Sequence, residues 1–285
     1  MPTPRVHRHP DVQRAHRQNG RVPTAFWATI AGILGLAVGS FLNVVIYRVP
    51  AGESVVHPPS KCPNCGAPIR NRHNVPVLGW LVLRGRCYDC HAPISPRYPI
   101  VEAATGALFA AVTIRIVDLH LGEALPAYLY LTAIGVALTM IDIDVKRLPD
   151  KIVLPSYPVL AALLLIATID NSDWWALGRA GIGMALLYAF YFLTAFIYPA
   201  GMGFGDVKLS GLLGGMLAYL SWKALAVGAV GGFVLGAVGS LFLLAFRRAG
   251  RKSEIPFGPY MIAAALLAVF VANPIANAYL HLLHH

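Results

Sequence analysis

Charge is in short supply in this sequence of 285 residues. Only 13% of the residues are charged and 57% are apolar, and the apolar residues fall in long runs with short polar breaks. This composition excludes a soluble enzyme. It predicts an all-α polytopic membrane protein, because a helix crosses the bilayer with about 20 mostly apolar residues.

The apolar runs predict about eight transmembrane helices. The sixth run is short and the break after it is tight, so seven spans and one re-entrant segment are the alternative. No cleavable signal peptide is expected, because the first run is longer than a signal core and does not end in a small-residue cleavage site. The approximate bounds of the runs are 25–46, 99–117, 125–144, 152–169, 174–198, 207–220, 222–246 and 257–281.

Basic residues are unevenly distributed among the loops, and short cationic loops favour the cytoplasmic side of a membrane. If the loop after the first span is cytoplasmic, most of the 23 basic residues lie on that side, with the arginines of the N-terminal tail as the main exception. The net charge of +10 then indicates attraction to anionic lipid headgroups. Nucleic acid is not an expected partner.

Cysteine is equally scarce, and all four cysteines lie in the longest polar stretch. They form two pairs with two residues between the members of each pair, Cys62 with Cys65 and Cys87 with Cys90. Two such knuckles favour a tetrahedral zinc site. Two disulfides or four free thiols are the alternative, but disulfides are rare in the cytoplasm. His91 and His73 could compete as ligands, but the paired cysteines explain the spacing without them. Four protein ligands leave no position for a reactive water, so this zinc would be structural.

The zinc site divides the chain into four predicted parts. A basic tail at residues 1–24, expected to be disordered, is followed by the first transmembrane helix at residues 25–46. Residues 47–98, called the cysteine domain below, are expected to form a small cytoplasmic zinc-ribbon-like insert. This insert has too few apolar residues to fold on a hydrophobic core alone, and metal binding would supply the missing free energy of folding. Residues 99–285 form the main transmembrane domain.

Two acidic stretches lie where apolar runs end. Asp142 and Asp144 end the third run, and Asp206 follows Gly-Phe-Gly at the start of the sixth. Carboxylates at membrane depth are costly and usually functional, and both stretches lie on the same predicted face. Two carboxylates that share one proton could act as general base and general acid on a water molecule and a peptide carbonyl. The leading hypothesis is a membrane aspartyl protease.

Structural roles are the alternative for these acids. Asp206 could cap the helix that follows it, since aspartate is a favoured N-cap residue. Asp144 and Asp150 could pair with basic residues of the same loop, namely Lys146, Arg147 and Lys151. For Asp144 and Asp150 the structural role is preferred, whereas for Asp142 and Asp206 the residues alone leave both interpretations open.

Further motifs occur in a fixed order along the chain. They are Gly39-Ser-Phe-Leu-Asn-Val-Val-Ile-Tyr-Arg-Val-Pro50, the two cysteine pairs, Pro76-Val-Leu-Gly-Trp-Leu, Arg84-Gly-Arg-Cys87, Ile94-Ser-Pro-Arg-Tyr-Pro-Ile-Val-Glu102, the Asp142 stretch with Pro149-Asp150 and Pro155, Gly203-Phe-Gly-Asp-Val-Lys208 and Ile255-Pro-Phe-Gly-Pro-Tyr260. In this series the chain resembles the bacterial prepilin peptidases, membrane aspartyl proteases of the GxGD type.

The resemblance implies that Asp142 and Asp206 are the catalytic pair and that the four cysteines bind zinc. It implies an enzyme of the bacterial inner membrane whose active site faces the cytoplasm. Such enzymes remove the basic leader of type IV prepilins and pseudoprepilins after a glycine that precedes the hydrophobic helix. Members with the cysteine domain usually also methylate the new amino terminus with S-adenosylmethionine.

Binding of S-adenosylmethionine rests on the resemblance alone, because the sequence has no glycine-rich nucleotide loop of the Rossmann kind. Glu102, Arg97, Tyr98 and Asn43 are candidates for contacts between the cysteine domain and the membrane domain. For Glu102, an ion pair with Arg97 or Arg48 is an equal alternative.

Two other functions compete with the peptidase. A transporter or channel could use the aspartates to bind cations or relay protons, but the apolar runs show no obvious inverted repeat and both acidic motifs lie at one face. A membrane-tethered zinc-ribbon binding module without chemistry would tolerate aspartate substitutions and lose function when its cysteines are changed.

Overall fold

A computed structural model of the chain describes residues 23–198, 202–245 and 256–283. Nearly all of the basic tail predicted to be disordered, residues 1–22, lies outside these ranges, as does Ile255 of the last motif. The described residues fold into one short and eight long α-helices. They are α1 (Thr24–Arg48), α2 (Leu78–Val82), α3 (Arg97–Asp118), α4 (Leu125–Val145), α5 (Asp150–Asn171), α6 (Trp174–Ile197), α7 (Phe204–Leu220), α8 (Trp222–Ala245) and α9 (Gly258–Leu283).

The eight long helices correspond one to one to the predicted apolar runs, which confirms the all-α polytopic fold. Seven of them have the length and hydropathy of a membrane span. The exception is α7, which has 17 residues. At about 1.5 Å per residue it is about 25 Å long, somewhat shorter than a hydrocarbon core of about 30 Å.

The short helix α7 lies inside the protein. All of its residues from Leu209 to Tyr219 are buried. It packs closely on α6, where a Cβ atom at Gly183 would clash with Ala218 and one at Gly214 would lie 2.5 Å from the Gly183 carbonyl oxygen. Glycine therefore permits a backbone approach that a larger residue would prevent, and α7 exchanges lipid contact for protein contact.

The far end of α7 is closed by Arg179 of α6. The guanidinium donates to the carbonyl oxygens of Ala218 and Tyr219, both at 2.5 Å, and to that of Leu220 at 3.3 Å. The last carbonyls of a helix have no partner within the helix, and each costs several kcal/mol when it is left without one in an apolar environment. The arginine therefore allows α7 to end within the protein.

Two apolar clusters hold the helices together. The larger cluster contains residues from every helix from α3 through α9 and surrounds α7. The smaller one attaches α1 to α3 and α4 through buried residues, namely Leu42, Ile46, Val101, Ala137 and Ile141. The cysteine domain leaves this bundle after α1 and returns at α3. Its described residues form no β-strand, but two isolated antiparallel bridges, Lys61 with Pro68 and Arg86 with Pro93, close the two knuckles.

Candidate active site and candidate metal centre

Asp142 lies in the last turn of α4 and is buried. Its Oδ2 atom accepts a hydrogen bond from the backbone N–H of Gly258, the first residue of α9, at 3.1 Å. The first N–H groups of a helix have no intrahelical acceptor, and a helix N-terminus attracts negative charge. The start of α9 thus provides a suitable polar partner for a buried carboxylate, and the glycine keeps that position open, since a Cβ atom there would lie 2.7 Å from Oδ2.

Asp206 lies in the first turn of α7 and is also buried. The N-cap residue of this helix is Gly203, whose carbonyl oxygen accepts from the N–H of Asp206 at 3.0 Å. Asp206 therefore does not occupy the N-cap position that the structural alternative gave it. A Cβ atom at Gly203 would lie 3.3 Å from Asp206 Oδ2, so the glycine leaves room beside the carboxylate.

The structure brings the two aspartates to one end of the bundle. They lie near enough to interact electrostatically. Leu148, in the loop between α4 and α5, connects their surroundings: a Cβ atom at Gly205 would lie 3.0 Å from its Cβ, and one at Gly258 would lie 3.4 Å from its methyl groups. Two buried carboxyl groups from distant parts of the sequence therefore share one compact region formed by α4, α7 and α9.

The other two acids of the motifs form ion pairs. Asp144 accepts two hydrogen bonds from Arg97, at 2.9 and 2.6 Å, and Asp150 accepts two from Lys208, at 2.7 and 2.8 Å. Ion pairing was the preferred interpretation for these acids, but the predicted partners in their own loop were wrong, because the cations come from α3 and α7.

These ion pairs surround the buried aspartates. One joins the start of α3 to the end of α4, two residues after Asp142, and the other joins α7 to the start of α5, two residues after Asp206. Partly exposed pairs of this kind contribute only about 0–1 kcal/mol each. Their effect is to fix the relative positions of the helix ends. Asp144 is exposed and paired with a cation, whereas Asp142 is buried.

Sequence reasoning missed three residues of this region: Gly258, Leu148 and Tyr191. Gly258 lies in the Ile255–Tyr260 motif, and a glycine followed by proline at the start of an apolar run is a detectable signal for a helix start. Tyr191 is buried, interacts electrostatically with Asp206, and stacks on Phe233 with ring centroids 5.4 Å apart. Nothing in the sequence distinguishes Tyr191 from the other tyrosines of the apolar runs.

The four cysteines come together as their spacing predicts. Their Sγ atoms all lie within 4.8 Å of one another, and those of Cys62 and Cys90 are 3.8 Å apart. In a tetrahedral zinc site with Zn–S bonds of about 2.3 Å, the sulfur atoms are about 3.8 Å apart. The four thiols therefore fit a metal ion.

Hydrogen bonds in the knuckles favour thiolate ligands. The pKa of Cys90 is lowered to about 6, first by the backbone N–H of Ala92 and then by the side chain of Asn64, whose Nδ2 lies 3.6 Å from the sulfur. The Ala67 N–H acts in the same direction on Cys65, but desolvation and the neighbouring thiols raise the pKa of that residue to about 12. Four clustered thiolates therefore repel one another, and they are stable together only when a cation balances their charge.

All four candidates take part in contacts across the predicted boundary of the cysteine domain, and Arg97 does so through its pair with Asp144. Glu102 Oε2 accepts from the backbone N–H of Val77 at 2.7 Å, so its predicted alternative, an ion pair with Arg97 or Arg48, is wrong. Asn43 donates to the Tyr98 carbonyl oxygen at 3.2 Å, which joins α1 to α3. The sequence correctly selected the residues of this region but did not assign their partners.

Comparison with known proteins agrees with this geometry. Residues 33–116 match the bacterial peptidase A24 N-terminal domain, and residues 129–271 match the type IV leader peptidase family. The chain belongs to the type IV leader peptidase family. Its two matched regions contain both cysteine pairs and both buried aspartates.

Curated relatives match along most of their length. The chain is 35% identical to the prepilin leader peptidase/N-methyltransferase of Stutzerimonas stutzeri over 287 aligned residues, which cover 90% of this chain and 95% of that protein. It is 37% identical to the protein of the same name from Aeromonas hydrophila, covering 87% and 92%, and 39% identical to that from Myxococcus xanthus, covering 80% and 67%. No solved structure matches the chain.

Proposed function

We propose that this chain is an integral membrane aspartyl endopeptidase that removes the basic leader of type IV prepilins or pseudoprepilins after a glycine. The new amino terminus is then N-methylated with S-adenosylmethionine. The observation that carries the peptidase proposal is the pair of buried carboxyl groups, Asp142 and Asp206, at one end of the helix bundle. The methylation proposal is supported by the relatives, which are named as both peptidases and N-methyltransferases.

Asp142 and Asp206 form the catalytic pair in this proposal. Repulsion between two nearby buried carboxylates favours a state in which one proton is shared by the pair. The ionised group removes a proton from a water molecule that attacks the scissile carbonyl, and the protonated group donates to the carbonyl oxygen. The Gly258 N–H stabilises the ionised form of Asp142, which assigns Asp142 as the base and Asp206 as the acid.

The position of the pair suits a substrate with an apolar helix and a basic leader. Asp142 lies in the last turn of α4 and Asp206 in the first turn of α7, at the end of the bundle from which the cysteine domain extends. A peptide bond just outside an apolar helix would reach this level. Glycine at the cleavage site lowers the cost of unwinding the substrate backbone there.

Cys62, Cys65, Cys87 and Cys90 hold a structural zinc ion in this proposal. When bound, the ion supplies positive charge that balances the clustered thiolates. With four sulfur ligands it has no open position for a water or a substrate, so it ties the two knuckles together and takes no part in peptide hydrolysis. The separation of the four Sγ atoms, within 4.8 Å of one another, supports this assignment.

The proposed location is the bacterial inner membrane, with the active site facing the cytoplasm. The support is the concentration of lysine and arginine in the loops on the side of the cysteine domain. A transporter is not favoured, because both buried carboxyl groups lie at the same end of the helix bundle. Family membership also favours a peptidase.

The test is cleavage of a prepilin-like peptide in liposomes by the wild type, Asp142→Asn and Asp206→Asn, with S-adenosylmethionine present and the products weighed by mass spectrometry. Asp144→Asn is the matched control, because this acid is exposed and paired with Arg97. Loss of cleavage in the first two variants, with most activity kept in the control, supports the dyad. Cleavage that persists in either of the first two variants removes that residue from the pair.

A methyl group added to the wild-type product supports the second activity independently of the first. An unmodified product, obtained at saturating S-adenosylmethionine from an enzyme that cleaves normally, contradicts the methylation proposal alone.

A further inference from the structure

The cysteine domain carries an apolar surface that none of the described residues covers. Leu78, Leu81 and Val82 of α2 are 59%, 54% and 75% exposed. Residues spaced by three and four positions lie on the same face of a helix, so these three side chains form one strip, called the α2 stripe below. Several exposed apolar side chains on one face of a helix form a candidate site of contact with a partner or with lipid.

The inner face of α2 is fixed, so the outward direction of the stripe is a property of the fold. Trp80 Nε1 donates to the Ile94 carbonyl oxygen at 3.0 Å, and a Cβ atom at Gly85 would lie 2.8 Å from the Trp80 ring. Gly79 is buried so closely against His73 that a Cβ atom would clash with its carbonyl group. The helix cannot rotate to bury the stripe without breaking these contacts.

One hydrogen bond places the start of α2 beside the first turns of α3. Val77, the residue before α2, donates its N–H to Glu102 Oε2 at 2.7 Å. Glu102 lies five residues after Arg97, the first residue of the membrane-spanning helix α3, which corresponds to about 7 Å along the helix axis. Amphipathic helices at a membrane surface bury their apolar face about 5–10 Å into the boundary between headgroups and acyl chains. With Arg97 taken as the membrane boundary, the start of α2 lies near this level.

The residue that makes this hydrogen bond has a strained backbone. Val77 has a φ angle of +60°, which is strongly disfavoured for a β-branched residue. Such a conformation persists only where surrounding contacts hold it. The buried Glu102 carboxylate is the contact that receives the Val77 N–H, so the protein keeps α2 at this depth at the expense of local strain.

The charges around α2 indicate which lipid it meets. Arg84 and Arg86 follow the helix directly and are exposed, and the sequence contains no acidic residue between Glu53 and Asp89. Basic residues beside an apolar interfacial helix attract anionic headgroups. Ile100, in the first turn of α3, is also exposed, as expected for a membrane-spanning helix that faces lipid on one side.

We propose that the α2 stripe inserts into an anionic lipid leaflet, with Arg84 and Arg86 at the headgroup phosphates. The cysteine domain is then held at the membrane surface by three contacts: α1, α3 and the lipid beneath α2. A protein segment as the occupant of the stripe is less suitable, because at this depth it would have to displace lipid from the edge of α3.

The experiment places a small fluorescent amino acid at Leu81 in the full chain, reconstituted in nanodiscs with phosphatidylglycerol. Quenching is measured with lipids brominated near the headgroup end of their acyl chains and, separately, with aqueous iodide. The matched control is the same probe at Tyr88, which is 48% exposed compared with 54% for Leu81 and lies in the second knuckle. Retention of bound metal checks that both variants are folded.

The expected result is bromolipid quenching at Leu81 about threefold stronger than at Tyr88, with the reverse order for iodide, as for a side chain within the interface. Equal bromolipid quenching at the two positions, or iodide quenching at Leu81 as strong as at Tyr88, overturns the proposal. A prepilin-like peptide is then added, and protection from iodide only in its presence would identify a protein segment as the occupant instead of lipid.

A second variant tests the anionic character of the lipid. Arg84→Gln combined with Arg86→Gln removes both charges and leaves the stripe unchanged. Each arginine near an anionic surface is expected to shift the docked population about fivefold, so bromolipid quenching at Leu81 should fall in phosphatidylglycerol nanodiscs and not in phosphatidylcholine nanodiscs. Equal quenching with and without the arginines in phosphatidylglycerol overturns the assignment of an anionic partner.

Discussion

The backbone N–H of Gly258 donates to Oδ2 of Asp142 across 3.1 Å, between residues that are 116 positions apart in the sequence. This bond joins the end of α4 to the start of α9 inside the bundle. Among the described residues, the Gly258 N–H is the one backbone group that donates to the Asp142 carboxylate. A Cβ atom at position 258 would crowd that carboxylate, which explains the glycine.

Replacement of Gly258 by alanine should reduce cleavage much more than it reduces stability. The new Cβ atom would lie 2.7 Å from Asp142 Oδ2 and must displace it. Displacement of a reacting group by about 1 Å can cost about 100-fold in rate, so we expect kcat to fall by about 10- to 100-fold with the protein still folded in the membrane. Peptide cleavage in liposomes measures this effect.

Gly181→Ala is the matched control for this substitution, because a Cβ atom at that position meets nothing within 4 Å. Its kcat should equal that of the wild type. Wild-type cleavage by Gly258→Ala would show that the carboxylate does not need the position that the structure gives it.

Replacement of Arg179 by methionine should destabilise the membrane domain. The change removes hydrogen bonds to the carbonyl oxygens of Ala218, Tyr219 and Leu220, and unpaired buried carbonyls cost about 1–3 kcal/mol each. We expect a loss of about 3 kcal/mol or more in the free energy of unfolding, visible as a lower thermal midpoint in detergent.

Arg115→Met is the comparison for that variant, because Arg115 donates to a single carbonyl oxygen, that of Val269, at 2.9 Å. Its loss of stability should be clearly smaller. Equal thermal midpoints for the two variants would contradict the role of Arg179 as a cap of three carbonyls.

The pair of Arg97 and Asp144 should show a small coupling energy. Both side chains are partly exposed, and they are joined by two hydrogen bonds. A double-mutant cycle with Arg97→Gln and Asp144→Asn is therefore expected to give a coupling energy of about 0.2–1 kcal/mol, which decreases in high salt. Chemical unfolding in detergent at two salt concentrations provides the measurement. A coupling energy several times larger, or one insensitive to salt, would be inconsistent with a surface ion pair.

Removal of any one cysteine of the cluster should abolish tight metal binding. Cys62→Ser leaves three sulfur ligands, whereas His91→Ala and His73→Ala should keep a full metal content if the four thiols are the ligands. Protons compete with the metal for thiolates, so metal content after dialysis should fall as the pH is lowered. Mass spectrometry of the metal, with the total protein measured in parallel, tests both statements. Loss of metal in a histidine variant would change the proposed ligand set.

The membrane helices could be predicted from the sequence because their signal is local. A run of apolar residues of sufficient length forms a helix in a bilayer whichever helices surround it, and the eight runs did so. The two cysteine pairs were similarly readable, since each knuckle is a short local loop that the backbone closes in the same way, with the Cys62 N–H to Ala67 and the Cys87 N–H to Ala92.

The relationships between helices could not be predicted in the same way. Composition does not distinguish α7, whose residues from Leu209 to Tyr219 are buried, from α8, which exposes Val230 and Val234, because lipid and protein interior are both apolar. The partners of Asp144 and Asp150 were also out of reach, since each cation comes from a helix far away in the sequence. The tertiary arrangement decides such contacts, and a single sequence carries no direct record of it.

The enclosed helix α7 has a consequence for membranes of different thickness. A free transmembrane helix adapts to a thicker or thinner bilayer by tilting or by shifting along the membrane normal. α7 is held at one end by Arg179 and near the other by the pair of Lys208 and Asp150, and the helix rises about 21 Å over the 14 residues from Asp206 to Leu220. Asp206 is therefore expected to keep its height relative to Asp142 in thick and thin bilayers alike, because protein contacts and not lipid hold α7.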